Sequence, residues 1–407
     1  MVQGDGLTTN PLCSVRVLDF SRAMSGPFCT MLLGDLGMDI IKVEPPGGDE
    51  TRGWMPPSVN GVSTYFLSVN RNKRSIVIDL TKDGSMRVVD ALVRSADILV
   101  ENFRPGTAAK LGIDYPACSR INRKIIYCSI SGYGQSGPLS WMPGFDLTVL
   151  AMSGLLGLTG EEGRPPVKFA VPVADMSAGL FAAISILSAL YVRQLTGRGQ
   201  YIDMSMYDAS LSLLSHQASD YLATSLDPVR TGNAHPSIAP YQLLATKDGY
   251  IALAVGSEKL WKDLCNGCGF ESLLEDSRFR NNSERVRHRD ELIKIMAARF
   301  SLLTTDEALS LLSASGIPCS AVRKVSEVIA ERHTYERGLL HKGNHPVYGK
   351  YAVVGSPFKL SLTGGTVRRD PPVLGEHSIE ILKELDFGDE EIDALTGEGA
   401  VLRRSGL

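Results

Sequence analysis

The stretch SIVIDLTKDGSMRVVDALVRSADILVENF, residues 75–103, reads in turn as strand, helix and strand. SIVIDL (75–80) and DILVENF (97–103) are short, nearly continuous apolar runs, whereas SMRVVDALVRSA (85–96) spaces its apolar residues three and four apart. Strands without polar alternation are strands buried on both faces. Joined through a helix, they predict a mostly parallel sheet covered on both sides. The same alternation extends from Val15 to Met206, through VRVLDF (15–20), DIIKVE (39–44), KIIYCSI (124–130) and QYIDMSM (200–206). An α/β domain over residues 1–225 is the expectation.

The pattern changes near Asp227. DPVRTGNAHPSIAP (227–240) is rich in Pro, Gly and Asn and reads as a linker or a functional loop. YQLLAT and YIALAV then flank Lys247-Asp248-Gly249 as a hairpin, and helical stretches run from about Ser257 to Ala314. Residues 226–330 are read as a smaller α+β domain. Residues 331–407, with the strand-like KYAVVG (350–355) and a helix around Ser378–Leu385, are too short to fold alone and are expected to return to the first domain.

The 407 residues carry 42 basic and 45 acidic side chains, a net charge of −3, with 43% hydrophobic residues. A near-neutral chain lacks the basic excess of a general nucleic-acid binder, so an anionic ligand must be held by local groups. The N-terminal MVQGDGLTTNPL has no basic-then-apolar pattern, and the longest apolar stretch, Gly179–Val192, is shorter than the roughly 18 residues that span a membrane. A cytoplasmic protein without a membrane partner is expected. Seven scattered cysteines do not form a disulfide framework, and Cys265 and Cys268 read as packing residues at a helix end. No metal site is expected.

Gly132-Tyr-Gly134-Gln-Ser-Gly137 matches the dinucleotide fingerprint by letters, but Pro138 follows at once where the fingerprint needs a helix. Phosphate-loop, G-x-S-x-G and H-E-x-x-H motifs do not occur. Asp175 stands between a strand-like run and a long apolar helix. It fits a helix N-cap, and it equally fits an ionised carboxylate kept as a nucleophile by the helix end. Ser177, Ala178 and Gly179 are small enough to let a ligand approach. The basic run NRNKRS (70–75), with Lys82, Arg104 and Lys110, is by default a solvated face. Arg104 and Lys110 nevertheless follow a strand at its C-terminal end, where open α/β sheets bind ligands and phosphates can be met.

These blocks together resemble the family III CoA-transferases, the group of formyl-CoA and carnitine CoA-transferases. The likeness runs through VLDFSRAMSGPFCTMLLGDLG (17–37), IIKVEPPGGDETR (40–52), NRNKRSIVIDL (70–80), ADILVENFRPG (96–106), YCSISGYGQSGP (127–138), VADMSAG (173–179), TGRGQ (196–200) and LGEH (374–377). It implies a large Rossmann-like parallel-sheet domain plus a smaller α+β domain, in an interlocked homodimer. It implies Asp175 as the nucleophile, forming an aspartyl anhydride and then an aspartyl-CoA thioester. Coenzyme A enters as a substrate, not as a tightly bound cofactor, near Met24, Ser25, Ile78 to Lys82, Asn102, Phe103, Arg104, Lys110, Phe145 and Asp146.

Two positions depart from formyl-CoA transferases. Pro45 stands where they carry an arginine for CoA, and Met24 replaces an active-site glutamine. Racemases similar to this family carry Gly-His-Asp where this chain has Gly144-Phe145-Asp146, and Phe145 cannot exchange a proton. An α-methylacyl-CoA racemase and a catalytically silent acyl-CoA binder are therefore the alternatives. NRNKRSI, YCSISGYGQSGP and the loop TGNAHPSIAPYQ (231–242) are most similar to the succinyl-CoA-dependent glutarate-type members, implying succinyl-CoA as donor and a short dicarboxylate as acceptor. In that loop Asn233, His235 and Ser237 offer donors for a distal carboxylate, with His235 the substrate-loop candidate.

Overall fold

The computed structural model describes residues 10–403. The apolar runs of the first part become strands β1 (Arg16–Asp19), β2 (Asp39–Glu44), β3 (Lys73–Ile78), β4 (Ile98–Glu101), β5 (Ile126–Ser131) and β6 (Tyr201–Ser205), and Val401–Leu402 adds β7. The sheet order is β7-β3-β2-β1-β4-β5-β6. Its first six strands are parallel, while β7 lies antiparallel against β3. This is a doubly wound α/β sheet, and its chain reverses direction of travel between β1 and β4. Loops leaving those two strands diverge and open a crevice at their carboxyl ends.

Both faces of the sheet are buried. Leu18, Ile41, Leu99 and Tyr127 stand in register across four strands and share a core with Val88, Val89, Leu92 and Val93 of helix Ser85–Ser95. On the other face Val17, Ile40, Ile98 and Ile126 are also buried. There pack α1 (Ser25–Asp35) and the longer α2 (Val173–Thr196). By length and composition α2 could cross a membrane, more than the apolar count of its middle suggested, because the helix continues through Asp175 and Arg193 at its ends. Half of its most apolar window is nevertheless buried inside the protein, against α1 and neighbouring elements.

The basic run NRNKRS is not a solvated face. Residues Asn70 to Ser75 are all buried, because β3 starts at Lys73 within the sheet. Each cation meets an acid from a distant segment: Arg71 pairs with Asp35 at 2.7 Å, Lys73 with Asp19 at 2.9 Å and Arg74 with Asp39 at 2.6 Å. Without those partners, burial of three charges would be prohibitive.

The described residues divide into two units. The first takes the chain up to Leu155, Phe169–His216 and the residues from Arg332 onward; the second takes Leu156–Lys168 and Gln217–Glu331. In the first, Gly349–Val354 pairs with Leu340–His345 as a separate hairpin. In the second, Tyr241–Ala245 and Tyr250–Ala254 form the antiparallel hairpin, extended by Cys319–Ala321. Its core joins Leu244, Ile251, Trp261, Cys265, Cys268 and Phe300. Cys265 and Cys268 are fully buried packing residues of helix Glu258–Cys268. Segment Leu156–Lys168 is fastened to this unit by Arg230, whose guanidinium donates to the carbonyls of Gly157, Glu161 and Arg164.

Candidate active site

Asp175 is the third residue of α2, not its N-cap. Pro172 occupies the cap and supplies no side-chain bond. The first-turn amide of Ala174 donates instead to Asp146 Oδ1 at 2.9 Å. Asp146 opens helix Asp146–Met152 and so does from a distance what Asp175 was expected to do locally. Asp175 is thereby left to face a cavity. Ser25, the first residue of α1, lines the same cavity and acts to lower the Asp175 carboxyl.

Burial, and then the like charge of Asp146, push the Asp175 carboxyl up to about 7, against a smaller downward pull from Ser25. Among the described residues no cation pairs with it. Ser177, Ala178 and Gly179 are buried, so they admit a helix and not a ligand. A Cβ on Gly179 would lie 2.7 Å from the Ser25 carbonyl oxygen and 3.1 Å from the Phe28 ring. Only glycine lets α1 bring Ser25 this close.

The cavity measures about 380 Å³ and opens at the crevice between β1 and β4. Met24, Ser25, Asn102, Phe103, Arg104, Phe145 and Asp175 all line it. Their roles differ in geometry. The Asn102 side chain is spent on main chain: its oxygen accepts from Arg22 N–H at 2.9 Å, and its amide donates to Arg22 O at 2.7 Å. Phe103 lines this cavity and a second of about 370 Å³, whose walls include Pro45, Ile78, Leu80 and Leu111. The buried Glu101 accepts from Phe103 N–H at 2.8 Å and fixes that loop. Lys82 and Lys110 are exposed and line neither cavity.

His235 lies in the second unit. Its Nδ1 accepts from Ser237 N–H at 3.1 Å, its ring sits 5.2 Å from that of Tyr241, and Asn233 accepts from Leu243 N–H at 3.1 Å. These contacts shape the loop. Among the described residues no group of three or more His, Cys, Asp or Glu side chains could hold a metal.

The sequence reading missed Tyr65 and Trp54, which line the first cavity and meet edge to face at 4.9 Å. Burial, then Asp175 and Asp146, push the Tyr65 phenol up to about 12. Its helix Thr64–Val69 is short and mostly apolar, so nothing local marks it as facing a site. The Gly132 signal had a cause unrelated to dinucleotides. A Cβ there would meet Gly144 Cα at 2.7 Å, so two glycines let the segment before Phe145 and Asp146 cross over the end of β5.

The family model described as CoA-transferase family III matches residues 12–378. The chain is 41% identical over 401 residues to succinyl-CoA:glutarate CoA-transferase of Mus musculus, covering 98% of this chain and 92% of the relative. It is 37% identical over 383 residues to succinate–glutarate CoA-transferase of Agrobacterium fabrum, covering 92% and 96%. The crystal structure of a CAIB/BAIF family protein from Brucella suis superposes with a TM-score of 0.83 at 38% identity, covering 93% of this chain and all 100% of that one.

Proposed function

The chain belongs to CoA-transferase family III and is an enzyme that transfers CoA; from that premise we propose that it moves CoA from succinyl-CoA to a short dicarboxylic acid, with Asp175 as nucleophile. The observation that carries the chemistry is the Asp175 carboxylate, half-buried in the wall of a cavity beside Ser25 without a compensating cation. A carboxylate that is not neutralised by an ion pair can attack a thioester carbonyl. The C–S bond breaks, CoA leaves as thiolate, and an aspartyl anhydride forms. Return of the thiolate to the aspartyl carbonyl gives the aspartyl-CoA thioester and frees the donor acid. The acceptor carboxylate then runs the same steps in reverse. One thioester replaces another, so the exchange needs no phosphate donor.

Phe145 supports transfer over racemisation, because an exposed phenyl ring at the cavity mouth can neither take nor give a proton. Support for the dicarboxylate comes from the printed activities of the mouse and Agrobacterium relatives. We also infer that the enzyme is a homodimer. Leu180, Ile184, Tyr191 and Leu195 of α2 are exposed, an apolar surface that a second copy would cover. Light scattering on the purified protein should give twice the chain mass.

With succinyl-CoA as donor, glutarate, itaconate, mesaconate, citramalate and malate are compared with formate, acetate and carnitine as acceptors. A distal carboxylate left without donors would be costly, so the two groups should separate sharply. A monocarboxylate with a higher kcat/KM than every dicarboxylate would refute the proposed acceptor class. Hydroxylamine in the presence of acyl-CoA should convert Asp175 to a hydroxamate seen by peptide mass. Label at another residue refutes the nucleophile.

A further inference from the structure

Asn102 stands directly after β4, beside the turn of residues 21–24 that joins β1 to α1. Its carboxamide pairs with one residue in both directions: the oxygen accepts from Arg22 N–H at 2.9 Å, and the nitrogen donates to Arg22 O at 2.7 Å. A carboxamide carries acceptor and donor side by side, whereas a carboxylate there would face the Arg22 carbonyl with a second acceptor. On either side of Arg22 the chain is held by buried charges. The fully buried Lys42 donates from Nζ to Ser21 O at 2.8 Å, and its ion-pair partner Asp49 accepts from Ala23 N–H at 3.4 Å. Between these holds Ala23 has a φ of 63°, left-handed backbone that a residue with a side chain adopts only when its surroundings impose it.

The turn at Ala23 sets where α1 begins. Arg22, Ala23, Met24 and Ser25 line the cavity together with Asp175. The Ser25 main chain packs on α2 at Gly179, one turn beyond Asp175, where an added Cβ would lie 2.7 Å from the Ser25 carbonyl oxygen. We propose that Asn102 is a positioning residue for CoA transfer: acting through Arg22, it holds the left-handed turn at Ala23 and so builds the cavity wall beside Asp175 before substrate arrives. This role rests on the reading of Asp175 as the site of transfer. A turn that is costly to hold relaxes when one of its holds is removed, and a shift of about 1 Å in a wall facing the reacting groups can cost on the order of a hundredfold in rate.

Succinyl-CoA with glutarate is the assay pair. Asn102→Ala removes both bonds to Arg22 at a half-buried loop position and should lower kcat roughly ten- to hundredfold, with the KM for succinyl-CoA changed by less than about threefold. Ala23→Gly is the partner substitution. Glycine takes a φ of 63° without help from its neighbours. The double variant Asn102→Ala/Ala23→Gly should therefore recover kcat to within about threefold of wild type. If Asn102→Ala is insoluble, Asn102→Asp, which keeps the size and the acceptor but loses the donor, replaces it in the same pair with the same expectation. A rise in KM with kcat unchanged makes Asn102 a direct CoA contact and overturns the role, as does a kcat within about twofold of wild type. A loss that Ala23→Gly leaves unmoved overturns it too, since Asn102 then acts other than through the turn. Hydroxamate formation at Asp175 from succinyl-CoA and hydroxylamine is followed in the wild-type enzyme in parallel and needs no acceptor acid. Its absence defeats the nucleophile; its presence beside an unimpaired Asn102→Ala enzyme defeats the Asn102 role only.

Discussion

Asp19 and Asp175 are carboxylates of the same unit, each next to α1, and their surroundings differ above all in the cation. Asp19 ends β1 with no exposure, accepts from Lys73 Nζ at 2.9 Å and from Thr30 Oγ1 at 2.7 Å, and belongs to a chain of buried pairs. In that chain Lys42 meets Asp49 and Arg52 meets Glu44, both at 2.8 Å. Burial pushes the Asp19 carboxyl up, but Lys73 and Lys42 outweigh it and hold the group down to about 2. Asp175 has burial and Asp146 acting upward and only Ser25 acting downward, and it rises to about 7. A carboxylate locked in an ion pair supports the backbone around it. One left without a cation is costly to bury and remains available as a nucleophile.

The widest separation between the two carboxylates should appear in activity. Asp175→Ala is expected to lower CoA transfer on the order of 10⁴-fold or more, with a melting temperature within a few degrees of wild type. An Asp175→Ala enzyme with a tenth of normal activity would erase the distinction.

Stability should separate them in the opposite sense. Lys73→Met leaves Asp19 buried without its cation and should cost about 3–5 kcal/mol, read from the urea midpoint. Because the Asp19 carboxyl is lowered in the folded state, its contribution is present above its unfolded value of 3.8 and is lost as the pH falls through about 2. Acid titration of wild type and Lys73→Met should therefore converge below that range.

The pH profile sharpens the comparison. Transfer needs ionised Asp175, so kcat/KM should fall as the pH drops through about 7. Asp146→Asn keeps an acceptor for Ala174 N–H but removes the like charge, and should move the acid limb to lower pH with a several-fold gain near pH 6. An unmoved limb would mean that burial alone raises Asp175.

The smallest effect is a stabilisation. With its folded value raised from 3.8 to about 7, Asp175 costs stability as the pH rises through that interval, and the full cost is borne above it. Asp175→Asn should raise the melting temperature by a few degrees at pH 8, by less at pH 5 and not at all below about pH 4. The corresponding change at Asp19, Asp19→Asn, should destabilise at pH 8, since it strands Lys73.

Apolar periodicity placed the strands and helix Ser85–Ser95 to within about two residues, because alternation and helical spacing are local properties. β3 was the exception: Lys73 and Arg74 open it, and charged letters read as surface when their partners are out of view. The site was legible in part. The likeness of blocks gathered Met24, Ser25, Asn102, Phe103, Arg104, Phe145 and Asp175, and the cavity holds all seven. It could not separate those facing the cavity freely from Asn102, whose amide is committed to Arg22, nor reveal Tyr65.

The order of strands and helices, the class of the sheet and the position of Asp175 at the head of a long apolar helix were determined by the sequence alone, since neighbouring residues suffice to state them. Which charges are neutralised was decided only by the tertiary structure. Arg74 finds Glu384 from 310 residues away and Ala174 finds Asp146 from 28, so the cap, the ion pairs and the lack of a cation at Asp175 exist only once the chain has closed. The physical reason is that the desolvation cost of a charge depends on what surrounds it in space, and nothing in the local letters records that.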